Sequence, residues 1–323
     1  MAFIKSIATL ILVLILTQCG VTKISQQTPF ITVSENQLKA LYPKSEKFTI
    51  DPTIGQILKT QKGTSISIEK NSFSLNSITI QDKVILTVTE AIDNSDFLGV
   101  GINLNMDREI FESSGMIKME AKSNGKEISL DKNITVKMPN HSGEEEDFNI
   151  YSFKNGKWGY KGSNQQAGPD DSQGLNTVEV YGYANSSYYR INSILSDYSW
   201  WNFDKPMNQI ICVRGRFKLE KKDARNYVAV SVLGVDYKGV YTKYVQNDSF
   251  EINAPRHKRV KLLFYDNMQM LGITDVFMTW DTLGFNYSIV KGNECQDIGE
   301  IELKNYDEDF WKSKEKINNL LNI

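Results

Sequence analysis

Ile117-Lys118-Met119-Glu120-Ala121-Lys122-Ser123-Asn124-Gly125-Lys126-Glu127-Ile128-Ser129-Leu130 decides the fold class. Apolar and polar residues alternate on both sides of an Asn-Gly pair, and successive side chains of a strand point to opposite faces. Asn-Gly between two such runs predicts a β-hairpin, because both central residues of a type I′ turn need positive φ.

The same period of two extends outward from this hairpin. Ile66 and Ile68 alternate before it, as do Ile78 and Ile80, and then Val84, Leu86 and Val88; Ile134, Val136 and Met138 follow it. Beyond Pro139, Tyr151 and Phe153 lead to Asn155-Gly156 and on to Trp158 and Tyr160, a second hairpin. Later runs repeat the pattern: Ile211 and Val213; Val228, Val230 and Val232; Val240, Thr242 and Tyr244; Phe250 and Ile252; Val260, Leu262 and Phe264. Long helical periodicity is nearly absent, so the expectation is an all-β protein: two β-sandwiches in tandem with a short C-terminal helix. That helix would begin at the Asn305-Tyr306-Asp307-Glu308 capping signal and dock Phe310, Ile317, Leu320 and Leu321.

The N-terminus carries a different kind of signal. Lys5 precedes the apolar run Ile7 to Leu16, which ends in Leu16-Thr17-Gln18-Cys19. A run of that length is too short to span a bilayer as a helix but suits an export signal. Leu16-Thr17-Gln18-Cys19 resembles the lipobox of bacterial lipoproteins, whose cysteine is acylated and becomes the mature N-terminus; Gln18 departs from the usual small residue. The competing reading is an ordinary signal peptide with an incidental cysteine. The expected organisation is a signal peptide over 1–18, a tether over 19–45, a sandwich over 46–140, a connecting aromatic section over 141–208, a second sandwich over 209–304 and a helix over 305–323.

Several segments carry a family resemblance. Gly63-Thr64-Ser65-Ile66-Ser67-Ile68, Glu90-Ala91, Phe111-Glu112-Ser113-Ser114-Gly115-Met116-Ile117 and the Gly125 to Leu130 return are similar to ZU5-like β-sandwich domains. Ser199-Trp200-Trp201-Asn202-Phe203-Asp204 resembles an element that follows that domain in Bacteroidota lipoproteins. The order of strands from 209 to the closing Asp297-Ile298-Gly299-Glu300-Ile301-Glu302-Leu303 is similar to carboxypeptidase-regulatory-like, prealbumin-type sandwiches. The resemblance implies a fold and an envelope location; the residues that carry it are turn glycines and core positions and imply no activity.

Composition narrows the function classes. The 37 basic and 39 acidic residues are well mixed, which excludes the clustered basic footprint of a nucleic-acid binder. The one basic cluster, Arg256-His257-Lys258-Arg259, reads as a solvated strand edge. There are two histidines, His141 and His257, in no zinc spacing, and neither a G-x-S-x-G elbow nor a phosphate loop occurs. No cofactor and no metal are expected. Glu144 to Asp147, Asp93 to Asp96 and Asp170-Asp171 read as solvated loops ahead of Ca²⁺ ligands. Cys212 and Cys295 remain as an even pair, either a disulfide in an oxidising compartment or two buried thiols.

The expectation is therefore a non-enzymatic, lipid-anchored binding or scaffolding protein, with its lipid on Cys19, in the outer membrane and facing the periplasm. A protein partner in the envelope is expected. Two further readings attach to named residues. Trp200 and Trp201, with Asp204 nearby, form a glycan- or protein-binding platform if one indole is exposed. Asp204 and Glu112 form a hydrolase site if both converge in a cleft between the domains.

Overall fold

The computed structural model describes residues 37–106, 109–130, 134–141, 148–163, 188–193, 200–207, 209–218, 227–246, 248–266, 269–280 and 295–322. The expected signal peptide, Cys19 and most of the expected tether lie outside them. Every described residue belongs to one compact unit, Ile31–Ile323. No helix among the described residues is long and apolar enough to cross a membrane.

Four main sheets stack around three cores. The eight-stranded sheet runs, in spatial order, through Ser45–Ile50, Val84–Ala91, Glu109–Ser123, Trp200–Met207, Asn149–Lys154 and Lys157–Ser163, with two short strands added on Glu109–Ser123. A four-stranded sheet of Tyr188–Ser193, Ile134–Pro139, Ser65–Ile68 and Gln56–Lys59 belongs to the same half. Between its strands and one face of the eight-stranded sheet lies a core holding Ile66, Ile68, Val84, Leu86, Val88, Ile117, Met119, Val136 and Met138. The period of two is the reason: each of these strands places every second side chain on this face.

The second half repeats the scheme. Ser249–Pro255, Ile210–Lys218 and Gln296–Glu302 form one sheet; Val240–Val245, Val228–Gly234, Arg259–Asp266, Met270–Ile273 and Lys304–Asn305 form the facing one, with Phe277–Met278 paired to Arg259–Asp266. Val228, Val230, Val232, Phe250, Ile252, Val260, Leu262 and Phe264 fill the core between them.

A third core joins the halves. The outer faces of the eight-stranded sheet and of the Val228–Gly234 sheet are apolar at alternate positions, and each would be exposed in an isolated sandwich. Phe111, Met116, Tyr151 and Trp200 from the first and Ala229, Leu233, Val240 and Leu263 from the second belong to a single buried cluster. Helices contribute to it: Leu38 and Leu41 of the 3-10 turn Gln37–Leu41, Phe97 and Leu98 of Asn94–Val100, and Phe310, Trp311, Ile317 and Leu321 of the C-terminal helices. Gly99 is required where the helix meets the 3-10 turn, because a Cβ there would stand 2.3 Å from the Leu41 carbonyl carbon.

Several expectations meet the structure directly. Asn124 and Gly125 have φ of 51° and 75°, and Asn155 and Gly156 of 53° and 76°, as the two hairpin turns require. The 141–208 section contributes Asn149–Lys154, Lys157–Ser163 and Trp200–Met207 to the first half's main sheet, where Trp200–Met207 lies between Glu109–Ser123 and Asn149–Lys154. The C-terminal helix is two pieces, Glu308–Trp311 capped by Asp307 and Lys314–Leu321 capped by Ser313. Ile78, read as part of an alternating core pair, is 71% exposed, because its strand is a two-residue edge of a small three-stranded sheet.

Candidate functional site

The strand Trp200–Met207 carries the residues singled out by sequence. Its neighbours in the chain alternate between cores: Trp200 enters the central cluster, Trp201 and Phe203 enter the first sandwich. Trp200 and Trp201 are 6% and 7% exposed. An adhesion platform needs a flat indole open to solvent, so the glycan-platform reading of these two residues is corrected: both are packing residues.

Asp204 is wholly buried on the Trp200 face, beside Asn202. The Gly115 N–H donates to Ser113 Oγ (3.1 Å), Ser113 Oγ donates to Asn202 Oδ1 (2.7 Å), and Asn202 Nδ2 donates to Asp204 Oδ2 (2.5 Å). Asp204 Oδ1 has no hydrogen-bond partner among the described residues, and burial holds its carboxyl well above the usual carboxylate range. Burial therefore disfavours the charged form of this carboxyl.

The chain bulges here. Phe203 pairs with Gly115 and Asp204 with Ser113, so Ser114 is skipped. Gly115 has φ of 136°, and a Cβ on it would stand 2.4 Å from Met138 Cε. Ser114 turns aside to donate to Asn140 Oδ1 (2.8 Å) and to accept from the His141 N–H (3.0 Å). His141 is half-buried; burial first, then Lys238 and Lys62, depress its imidazole from the ordinary 6.5 to about 4.

Register separates the two acids of the hydrolase reading. Asp204 pairs with Ser113 and Lys205 with Glu112. Directly paired residues share a face and adjacent residues do not, so Asp204 and Glu112 point to opposite sides of the sheet. Glu112 is 2% exposed and Asp204 0%. Two carboxylates flanking one substrate bond need a common cleft. The pair named for that chemistry does not share one.

Asp93 and Asp96 are also committed to the fold. Asp93 caps the helix Asn94–Val100 by accepting from the Asp96 N–H (2.8 Å). Asp96 is buried between Lys62 (2.9 Å) and Lys314 (3.0 Å), and Lys314 comes from the C-terminal helix. Glu144 to Asp147 and Asp170-Asp171 lie outside the described residues.

Cys212 and Cys295 are joined, with their Cα atoms 4.5 Å apart and 83 positions apart in sequence. A carboxylate oxygen of Glu251 comes within 4.8 Å of both sulfurs, the one metal-ligand grouping of this kind among the described residues. Bonded to each other, the sulfurs are not thiolates, so this trio is no metal site in the oxidised protein.

One surface escaped the sequence reading. Val276, Met278 and Trp280 are 44%, 48% and 50% exposed, while Thr279 between the last two is fully buried. Their alternation is that of a strand, and in sequence it is indistinguishable from a core-facing run.

No protein-family model matches this chain, and the comparison with curated proteins finds no match.

Proposed function

We propose that the chain is a lipid-anchored bacterial envelope protein that works by binding or scaffolding and not as an enzyme. Lys5, the Ile7 to Leu16 run and Leu16-Thr17-Gln18-Cys19 support export and acylation of Cys19. Two or three acyl chains hold a soluble body at a membrane where one is marginal. Gly20 after the cysteine favours the outer membrane, and the absence of acidic residues from Gly20 to Ser34 favours its periplasmic side. The assignment to ZU5-like and prealbumin-type sandwiches is part of the same reading, supported by the segments Gly63 to Ile68, Phe111 to Ile117 and Asp297 to Leu303.

The observation that carries the scaffold reading is the core shared by both halves. Strand faces from each half and four helical pieces pack into one apolar cluster. An interface of that kind couples the sandwiches into one body and leaves their outer turns to meet a partner. The acids that would serve a hydrolase are buried, on opposite sheet faces.

Affinity purification of the full protein from gently solubilised membranes tests the reading, with Cys19→Ala as control. The expected result is a stoichiometric envelope partner, together with incorporation of labelled palmitate that Cys19→Ala abolishes. Recovery of the protein alone in every detergent overturns the scaffold reading, and labelling that survives Cys19→Ala overturns the anchor.

A further inference from the structure

Three adjacent strands bring Cys212, Cys295 and Glu251 to one face of a sheet. Ile210–Lys218 is the middle strand, between Ser249–Pro255 and Gln296–Glu302. Cys212 pairs with Asn253 and Arg214 with Glu251, so Glu251 stands one diagonal step from Cys212 on the same face. In the parallel ladder on the other side Val213 pairs with Gln296, which sets Cys295 beside Cys212. Val213, Phe250 and Ile252 fill the opposite, core-facing side.

The three donor atoms are already within reach of one ion. A Glu251 carboxylate oxygen and the two sulfurs all lie within 4.8 Å of one another. The cysteines are nearly buried and Glu251 is exposed, so a hard donor meets two soft ones from the solvent side. Two neighbouring cations bond to other oxygens: Arg214 to Asp297 (3.3 Å), and Lys243 Nζ to the Glu251 main-chain carbonyl (2.9 Å). Zinc takes thiolate at about 2.3 Å and carboxylate at about 2.0–2.2 Å, which sets tetrahedral ligands about 3.5–3.8 Å apart. That spacing falls inside the span the three donors share; only the two sulfurs, bonded to each other, have to part.

We propose that Cys212, Cys295 and Glu251 form a thiol-switched site for one zinc-class divalent cation, shut by the disulfide and opened by its reduction. A dithiol reductant delivers two electrons and two protons to the Cys212–Cys295 bond and leaves as its own disulfide. The cation then accepts an electron pair from each sulfur, and both thiol protons pass to solvent. Glu251 supplies the third donor and water the fourth. Sulfur sets the selectivity: Mg²⁺ and Ca²⁺ seek oxygen and would find a single carboxylate here. The site goes beyond the proposed function, since it stands whether or not Cys19 is acylated.

The test uses the full chain carrying Cys19→Ala, in which Cys212 and Cys295 are the remaining cysteines. A phosphine opens the bond and is removed in the absence of oxygen. The reduced chain is titrated with Cd²⁺, read by its ultraviolet thiolate charge-transfer band, and with Zn²⁺ by calorimetry. Expected are one cation per reduced chain with release of about two protons at neutral pH, and none bound by the oxidised chain. Mg²⁺ and Ca²⁺ give no response, and Zn²⁺ raises the urea midpoint of the reduced chain alone. Glu251→Gln weakens Cd²⁺ binding about tenfold, while its oxidised form unfolds like the parent's. A dithiol on an unfolded chain would bind without regard to Glu251, so this comparison separates the folded site from a loosened chain. A reduced chain that takes up no Cd²⁺, oxidised and reduced chains that bind alike, or Glu251→Gln binding like the parent overturns the proposal.

Discussion

Trp200 and Trp201 are adjacent in the chain and belong to different cores, Trp200 to the one between the two halves and Trp201 to the interior of the first sandwich. The strand they share is a wall of both compartments. Replacing either indole by alanine leaves a large void, and such changes cost about 3–5 kcal/mol. Urea unfolding is expected to show a loss of that size for Trp200→Ala and for Trp201→Ala. The two losses should be roughly additive in the double variant, because the indoles pack into different cores. Strong non-additivity would mean that the two cores do not act as separate compartments.

Asp204 makes stability fall as pH rises. Burial raises its carboxyl well above the ordinary 3.8, so over the interval between the unfolded and folded values the folded state binds more protons than the unfolded one. Asp204→Asn keeps the shape and removes the ionisation. Denaturant titrations from pH 4 upward should find the variant gaining on the parent as pH increases. A parallel pH dependence in both proteins would remove Asp204 as its source.

His141 acts in the opposite direction. Its imidazole titrates at about 4 in the folded protein against an ordinary 6.5, so below 6.5 the unfolded chain takes up a proton that the folded protein refuses. The contribution of this site is complete above pH 6.5 and is lost progressively down to about pH 4. His141→Gln should flatten that acid limb, and an NMR titration of the imidazole should show no protonation at pH 5.5.

The Cys212–Cys295 bond closes a segment with a sequence separation of 83. On the chain-entropy model a loop of that size contributes about 4 kcal/mol. Reduction, or the paired Cys212→Ala and Cys295→Ala change, is expected to lower the denaturant midpoint by the corresponding amount. An unchanged midpoint would show that the denatured chain gains nothing when the bond is cut.

Gly115 tests the bulge. At φ of 136° with Met138 Cε in the path of a Cβ, Gly115→Ala should destabilise the first sandwich and shift the Ser113–Asn202–Asp204 chain. Amide exchange of the Trp200–Met207 strand is the readout, and protection equal to the parent's would show that the bulge is not needed.

Local pattern alone was enough for the strands and hairpins, because the period of two and the φ requirement of Asn124-Gly125 and Asn155-Gly156 are properties of a few consecutive residues. Residue type and neighbourhood also raised a Cys212–Cys295 bond as one of two readings and placed a helix start within Asn305-Tyr306-Asp307-Glu308, where the structure has Asp307 as the cap. What alternation cannot say is which surface an apolar face will meet. Val84, Leu86 and Val88 and the run Val276, Met278, Trp280 look alike in sequence, yet the first set is buried and the second stands in solvent. Trp200 and Asp204 were noticed for their chemistry, but their burial follows from the second half covering the sheet, a contact between residues more than a hundred positions apart in places, such as Asn94 and Gly234. Local backbone preference decided the strands; long-range packing decided which faces became interior, and with them which residues remain outside to meet a partner.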